Sequence, residues 1–203
     1  MSMNTEKTTT KRLSQKTKLL VECAIMVAMA AVLSMLKIYE APLGGSVTLF
    51  SMVPIIIIAL RHGTLCGLAA GFVYSVTQLL LGIGNVAYVP SVSGIILCIL
   101  FDYIVAFTLL GLAGIFNRFK LKPIVSVICG ILFVCILRYI SHVLSGAVVW
   151  YEITKLGGWN DYVQTVGMWT YSLVYNIQFM LPETIITLVA APVCLRVLKL
   201  VKK

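Results

Sequence analysis

Long apolar runs separated by short polar segments fill almost the whole chain after residue 18. A helix needs about 20 consecutive apolar residues to cross the hydrocarbon core of a bilayer. The pattern predicts six membrane-spanning helices, at residues 18–36, 49–60, 64–81, 94–116, 124–150 and 168–199. The second is short for a crossing, and Pro182 and Pro192 predict kinks in the sixth. The sequence therefore indicates an all-α membrane protein, with a polar tail at 1–17 and one six-helix transmembrane domain at 18–203.

The composition agrees with this class, since 60% of the residues are hydrophobic and 11% are charged. A soluble domain of this length would need a more polar surface. The formal net charge is +9, but its distribution follows membrane topology instead of forming a nucleic-acid-binding face. Of the 16 Lys and Arg residues, Lys37 and Lys155 fall on the side opposite the termini, and Arg138 lies within a span. The positive-inside rule then predicts that both termini are cytoplasmic. The protein is expected to be a multi-pass protein of the plasma membrane, surrounded by the lipid bilayer.

Four residues of the fifth predicted span follow one another at intervals of four: Arg138, His142, Gly146 and Trp150. At 3.6 residues per turn they lie along one face of a helix. An ionisable side chain within a bilayer costs at least about 2.5–3.5 kcal/mol and usually marks a functional site. We interpret this row as the lining of a small-molecule pocket.

Asp102 is interpreted as the only acidic residue near the middle of a span, where an unpaired carboxylate is costly. Two alternatives follow: a structural ion pair with Arg138, or contact with a ligand that is cationic or donates hydrogen bonds. Under the predicted topology, further polar and aromatic residues fall in the same outer half of the bilayer, namely Tyr74, Tyr103, Tyr171 and Asn176.

Aromatic faces stabilise flat rings and cations, and a carboxylate accepts an amine or balances a positive charge. This set favours a small, flat nutrient that is cationic or bears an amine. The segments 37–48 and 82–93 are predicted to be loops that cover the pocket. Neither a nucleophile–base pair nor a metal triad stands out, so we expect neither catalysis nor a cofactor.

Small residues four apart allow close helix packing, and two such pairs occur. Gly67 and Gly71 in the third span predict an internal contact. Ala24 and Ala28 in the first span fit either internal packing or the docking of a partner helix.

Seven short segments, in this order along the chain, resemble one known family: ECAIMVA (22–28), GGSVTLFSMVP (44–54), LRHG (60–63), FDY (101–103), GLAGIF (111–116), LRYISHVLSGAVVW (137–150) and YSLVYN (171–176). The sequence resembles the thiamine-specific substrate-binding subunits, or S components, of energy-coupling factor vitamin transporters. The basic-x3-His-x3-Gly-x3-Trp row followed by Tyr-x4-Asn carries most of the specificity.

The resemblance implies the six-helix S-component fold and the capture of thiamine from outside the cell. It implies a thiamine pocket formed by Tyr74, Asp102, Tyr103, Arg138, His142, Gly146, Trp150, Tyr171 and Asn176. It also implies that Ala24 and Ala28 dock on a transmembrane coupling protein that carries two ATPase subunits, which fits a sequence without a Gly-x4-Gly-Lys-Ser/Thr motif. Some members have a tryptophan in the first loop and a Gly-His-x-Tyr segment before the fourth span, and both are absent here. The resemblance therefore does not identify which loop residues contact the ligand.

Three alternatives remain at this point. The same fold could bind another vitamin, such as riboflavin, biotin or a thiamine precursor. A small intramembrane enzyme could use Asp102 and His142 as acid and base. A channel or facilitator would transport its ligand without partner subunits.

Overall fold

The apolar runs fold as helices in the computed structural model, which describes residues 2–119, 121–158 and 160–201. Side chains are described for 14–119, 121–158 and 160–198. Seven of the basic residues used for the predicted orientation lie outside the described side chains, namely Lys7, Lys11, Arg12, Lys120, Lys199, Lys202 and Lys203.

The first half of the chain forms the helices α1 (Ser2–Met35), α2 (Val53–His62), α3 (Thr64–Leu81), α4 (Ile83–Val86) and α5 (Val92–Cys98), with the strands β1 (Lys37–Glu40) and β2 (Ser46–Thr48) between α1 and α2. A π-helical turn (Ile99–Val105), α6 (Ala106–Thr108) and a 3-10 helix (Leu109–Arg118) extend α5. The second half forms α7 (Pro123–Ser145), a second π-helical turn (Gly146–Trp150), α8 (Tyr151–Gly157), α9 (Tyr162–Thr165), α10 (Met168–Val189) and α11 (Ala191–Val201).

The prediction of an all-α membrane domain is confirmed. Among the described residues, five helical stretches are long and apolar enough to cross a bilayer: Ser14–Met35, Thr64–Leu81, Val92–Arg118, Pro123–Gly157 and Met168–Val189. The second predicted span is the short helix α2, whose residues 53–60 are all buried. It packs against α1, α3, the 3-10 helix and α11, so it forms the centre of the bundle.

The predicted loop at 37–48 is wrong, because β1 and β2 pair there as an antiparallel hairpin. Tyr39 lies opposite Val47 and Glu40 lies opposite Ser46. The connection returns through Gly44 and Gly45, which have φ of 91° and 84°, a conformation that glycine adopts without steric cost. We call residues 37–48 the hairpin.

Other predicted boundaries also differ from the structure. The loop predicted at 82–93 contains the short helix α4, and α5 begins at Val92 within it. The loop predicted from residue 151 begins as helix, because α7 continues through its π-helical turn to Gly157. The sixth predicted span divides at Ala190, with Pro182 inside α10 and Pro192 at the second position of α11. The predicted polar tail is helical from Ser2 and continuous with the first span.

The prediction of close packing at Gly67 and Gly71 is confirmed. A Cβ atom on Gly67 would lie 2.5 Å from the Ala59 Cβ, and one on Gly71 would lie 2.9 Å from the Thr108 carbonyl oxygen. A Cβ atom on Gly111, facing the same contact, would lie 2.1 Å from the Leu68 nitrogen. Glycine thus lets α3 approach its neighbours at backbone distance.

Candidate functional site

A cavity of about 450 Å³ lies where the hairpin meets the ends of α1 and α3, the first π-helical turn, α7 and α10. Six aromatic residues line it: Tyr103, Phe107, Trp150, Tyr171, Tyr175 and Phe179. Its charged and polar lining includes Lys37, Glu40, Gln78, Asn85, Asp102, Arg138, His142 and Asn176. Cavities of this size and mixed lining are typical of small-molecule sites.

Asp102 takes part in three hydrogen bonds at one wall of the cavity. Its Oδ1 lies 3.0 Å from His142 Nδ1, and its Oδ2 accepts from Ser145 Oγ at 2.6 Å and from Trp150 Nε1 at 2.8 Å. The indole N–H can only donate, and the serine hydroxyl donates where its partner is a carboxylate. The arrangement therefore fixes the imidazole and the indole beside the Asp102 carboxyl group.

Both π-helical turns contribute to this cluster. The first carries Asp102 and the second carries Gly146 and Trp150. A π-helical turn is often found at a functional site, because it widens the helix and changes the direction of the side chains that follow. Here the two turns bring the carboxylate and the indole nitrogen into contact across two helices.

His142 offers an acceptor at the cavity. In a neutral imidazole whose Nδ1–H donates to Asp102, Nε2 is the unprotonated nitrogen. Nε2 is buried and has no hydrogen-bond partner among the described residues. A ligand N–H group would satisfy this nitrogen.

Gly146 and Asn176 hold α10 against α7. A Cβ atom on Gly146 would lie 2.2 Å from Ser172 Oγ and 2.9 Å from Asn176 Nδ2. The Asn176 amide donates to the carbonyl oxygens of Ser172 at 2.8 Å and His142 at 3.3 Å. Both residues line the cavity, and their contacts set the spacing of its two main walls.

Tyr171 and Tyr103 also lie at the cavity, where each hydroxyl group has a protein partner. The Tyr171 ring stacks on Tyr175 with centroids 5.7 Å apart. The Tyr103 hydroxyl donates to the Gly82 carbonyl oxygen at 2.9 Å. The two side chains therefore present fixed rings to the cavity.

Arg138 lines the cavity but does not pair with Asp102, so the structural alternative predicted for these two residues is wrong. Its Nη1 donates to Met52 Sδ at 2.9 Å, and its guanidinium lies 4.5 Å from the centre of the Phe107 ring. The carboxylate beside it belongs to Glu183, whose Oε1 is 4.0 Å from Nη1.

Glu183 corrects the interpretation of Asp102 as the only acidic residue near the middle of a span. It lies within α10 and is 2% exposed. The signal was available in the sequence, because Glu183 follows Asn176 by seven residues, or two helical turns along one face.

Tyr74 is not among the residues that line the cavity, in contrast to its prediction as a pocket residue. It is fully buried in the bundle core, where its ring meets Phe107 edge to face at 5.3 Å. Phe107 lies between Tyr74 and Arg138, so Tyr74 supports the wall from behind. Sequence reasoning missed other lining residues, including Glu40, Asn85, Tyr175 and Phe179.

The predicted docking residues Ala24 and Ala28 both have exposed positions on α1. They do not pack inside the bundle, unlike Ala30, which is fully buried. Their face is open to the surroundings of the protein.

Known proteins resemble this chain over most of its length. The family described as "Thiamine transporter protein (Thia_YuaJ)" matches residues 20–202. "Thiamine transporter ThiT" of Bacillus subtilis is 35% identical over 178 residues, covering 82% of this chain and 84% of the relative. The protein of that name from Lacticaseibacillus paracasei is 30% identical over 158 residues, covering 73% and 72%.

Two solved structures share the fold. ThiT from Listeria monocytogenes superposes with a TM-score of 0.69 at 25% identity, covering 90% of this chain and 96% of that one. The S component of a bacterial ECF transporter superposes with a TM-score of 0.54 at 18% identity, covering 93% and 99%, and supports the fold alone. From the family match and the apolar helices together, this multi-pass plasma-membrane protein belongs to the thiamine transporter family and is not an enzyme.

Proposed function

We propose that this chain is the substrate-binding S component of an energy-coupling factor transporter and that it captures thiamine at the outer face of the membrane. The observation that carries the proposal is the Asp102 cluster, a carboxylate held by His142, Ser145 and Trp150 at the wall of an aromatic cavity. Both relatives from Bacillus subtilis and Lacticaseibacillus paracasei are named as transporters of the same vitamin.

The chemistry of thiamine matches the lining. Thiamine joins an aminopyrimidine to a thiazolium ring that carries a permanent positive charge. The Asp102 carboxylate attracts that charge, and the aromatic faces add cation–π stabilisation of about 0.5–2 kcal/mol each. His142 Nε2 supplies an acceptor for a ligand N–H group. Riboflavin and biotin carry no permanent cation, so the carboxylate favours thiamine over both.

The position of the cavity supports capture from outside. The hairpin and Asn85 border it at one end of the bundle. Arg61 lies in the last turn of α2 and Arg118 ends the 3-10 helix at the opposite end of the bundle. Because positive charge accumulates on the cytoplasmic side, the cavity faces outward.

Energy for transport comes from partner chains in this proposal, namely a transmembrane coupling protein and two ATPase subunits. Exposed positions at Ala24 and Ala28 suit helix docking, since two small residues four apart allow backbones to approach closely. The proposal assigns this face of α1 to the coupling protein.

The test is a thiamine titration of the purified, detergent-solubilised protein followed by tryptophan fluorescence and calorimetry. We expect saturable binding of thiamine, with riboflavin and biotin unable to compete. The Trp150→Phe variant should lose most of the fluorescence change. Trp169→Phe is the matched control, because Trp169 is half exposed and does not line the cavity.

Two results would contradict the proposal. If the folded protein binds riboflavin or biotin but not thiamine, the ligand assigned to the cavity is wrong. If the folded protein binds none of these vitamins, it is not a subunit that binds one of them.

A further inference from the structure

The helix α10 contacts the hairpin through side chains four residues apart. Near the tip of the hairpin, the Tyr175 hydroxyl donates to the Gly44 carbonyl oxygen at 3.0 Å and accepts from the Leu43 N–H at 3.3 Å. One turn further, the Phe179 ring lies so close to Gly45 that a Cβ atom there would be 2.5 Å from the ring. These contacts involve uncharged groups at the edge of the cavity.

The next residue in this row, Glu183, contacts the root of the hairpin instead of its tip. Its Oε2 accepts from the Thr48 N–H at 2.6 Å, and its Oε1 accepts from the Thr48 hydroxyl at 2.7 Å. Because the single Thr48 hydroxyl proton is used there, the Ser51 hydroxyl donates to Thr48 Oγ1 at 2.6 Å. Hydrogen bonds to a carboxylate are roughly twice as strong as those between neutral groups.

The backbone at this root also needs external support. Phe50, two residues after Thr48, has a φ of 61°, which is unfavourable for an aromatic residue. Such a conformation persists where surrounding contacts hold it in place. The paired hydrogen bonds from Thr48 to Glu183 are contacts of that kind.

Glu183 faces the cavity wall on its other side. Its Oε1 lies 4.0 Å from Nη1 of Arg138, which lines the cavity, whereas Glu183 itself does not. One buried carboxylate therefore meets both the root of the hairpin and a cationic residue of the wall. The sequence separation between Thr48 and Glu183 is 135 residues, so this contact joins distant parts of the chain.

We propose that Glu183 is a positioning residue for ligand capture, which anchors the root of the hairpin to α10 and Arg138 and so holds the hairpin in place at the border of the cavity. This inference rests on the proposed function, in which the cavity captures thiamine.

Limited trypsin digestion read by mass spectrometry tests the anchor. Lys37 in the hairpin and Lys155 in α8 are cleavage sites at the same end of the protein. Lys37 lies opposite Thr48 at the root of the hairpin. The ratio of cleavage at Lys37 to cleavage at Lys155 therefore reports release of the root, corrected for global unfolding.

The Glu183→Gln variant should raise the ratio about tenfold without ligand, the effect expected from losing a hydrogen bond to a charged group. Stopped-flow fluorescence should show thiamine dissociation accelerated by a similar factor with the association rate unchanged, because most affinity changes in one binding site act on dissociation. Glu152→Gln is the matched control, since it makes the same change at an exposed carboxylate of α8.

Substitution of the partner residue keeps the test decisive if Glu183→Gln does not fold. Thr48→Val removes the hydroxyl and should raise the ratio, whereas Thr48→Ser retains it and should restore the original behaviour. Equal cleavage ratios in all variants, or equal acceleration at Lys37 and Lys155, would overturn the inference. If the unaltered protein binds no thiamine, the proposed function fails, while the ligand-free ratio still decides whether Glu183 anchors the hairpin.

Discussion

Replacing Asp102 by asparagine removes the negative charge of the cluster while keeping its hydrogen bonds. The variant therefore distinguishes the effect of the charge on thiamine binding from the effect of the hydrogen-bond geometry. The asparagine Oδ1 can accept from Ser145 and Trp150 in place of the carboxylate oxygen. Its amide group then donates to His142 Nδ1, which moves the imidazole proton to Nε2. All three neighbours keep a partner, so the free energy of unfolding should fall by no more than about 1 kcal/mol.

The effect on thiamine should be much larger. The indole nitrogen of Trp150 is 2.8 Å from the carboxylate, so a cation stacked on that ring lies roughly 5–6 Å from it, given ordinary ring contact distances. Two unit charges at that separation attract by about 3 kcal/mol for an effective dielectric constant near 20. Loss of this attraction raises the Kd of thiamine about a hundredfold.

Calorimetry with two ligands checks this reasoning. Asp102→Asn should weaken the binding of thiamine strongly. It should weaken the binding of a thiamine analogue with an uncharged five-membered ring far less. Asp161→Asn, at an exposed position outside the cavity, is the control. A thiamine affinity within about threefold of the unaltered protein, equivalent to less than 0.7 kcal/mol, would refute the electrostatic argument. Equal losses for the charged and uncharged ligands would refute it as well.

Two further predictions concern Gly146, which belongs to the row of residues at intervals of four, and Tyr74 of α3. Gly146→Ala places a methyl group 2.2 Å from Ser172 Oγ, so α10 must shift away from α7; we expect a lower midpoint of thermal unfolding, by the equivalent of about 1–3 kcal/mol, and weaker thiamine binding. An unchanged midpoint and affinity would show that the two helices are not held at this distance. Tyr74→Phe should leave the Kd of thiamine unchanged in the same calorimetric assay, because Tyr74 is not part of the cavity lining; a large loss would place its hydroxyl in contact with the ligand.

The sequence predicted which residues of α7 lie together, because the spacing of a helix is a local property. Arg138, His142, Gly146 and Trp150 all line the cavity. Their partners could not be predicted in the same way. Asp102 bonds to His142 and Trp150, whereas Arg138 faces Glu183, and the choice depends on how helices distant in sequence rotate against one another.

The hairpin shows a second limit of local reasoning. Pro42, Gly44 and Gly45 correctly indicated a break after the first helix, but the segment was predicted to be a loop. Its strands pair with each other and pack on α10, where Gly45 meets Phe179. Short strands of this kind are stabilised by tertiary contact, so their residues carry little signal of their own.

The sequence by itself determined the class of the protein, the apolar runs that form its helices, and most of the costly polar residues within them. It could do so because the bilayer penalises each buried polar group wherever the helix lies. The tertiary structure alone decided which of these groups pair, that Tyr74 is core, and that Glu183 joins the hairpin to the cavity wall. Those outcomes depend on helix rotation and on two π-helical turns, which a regular period of 3.6 residues does not encode.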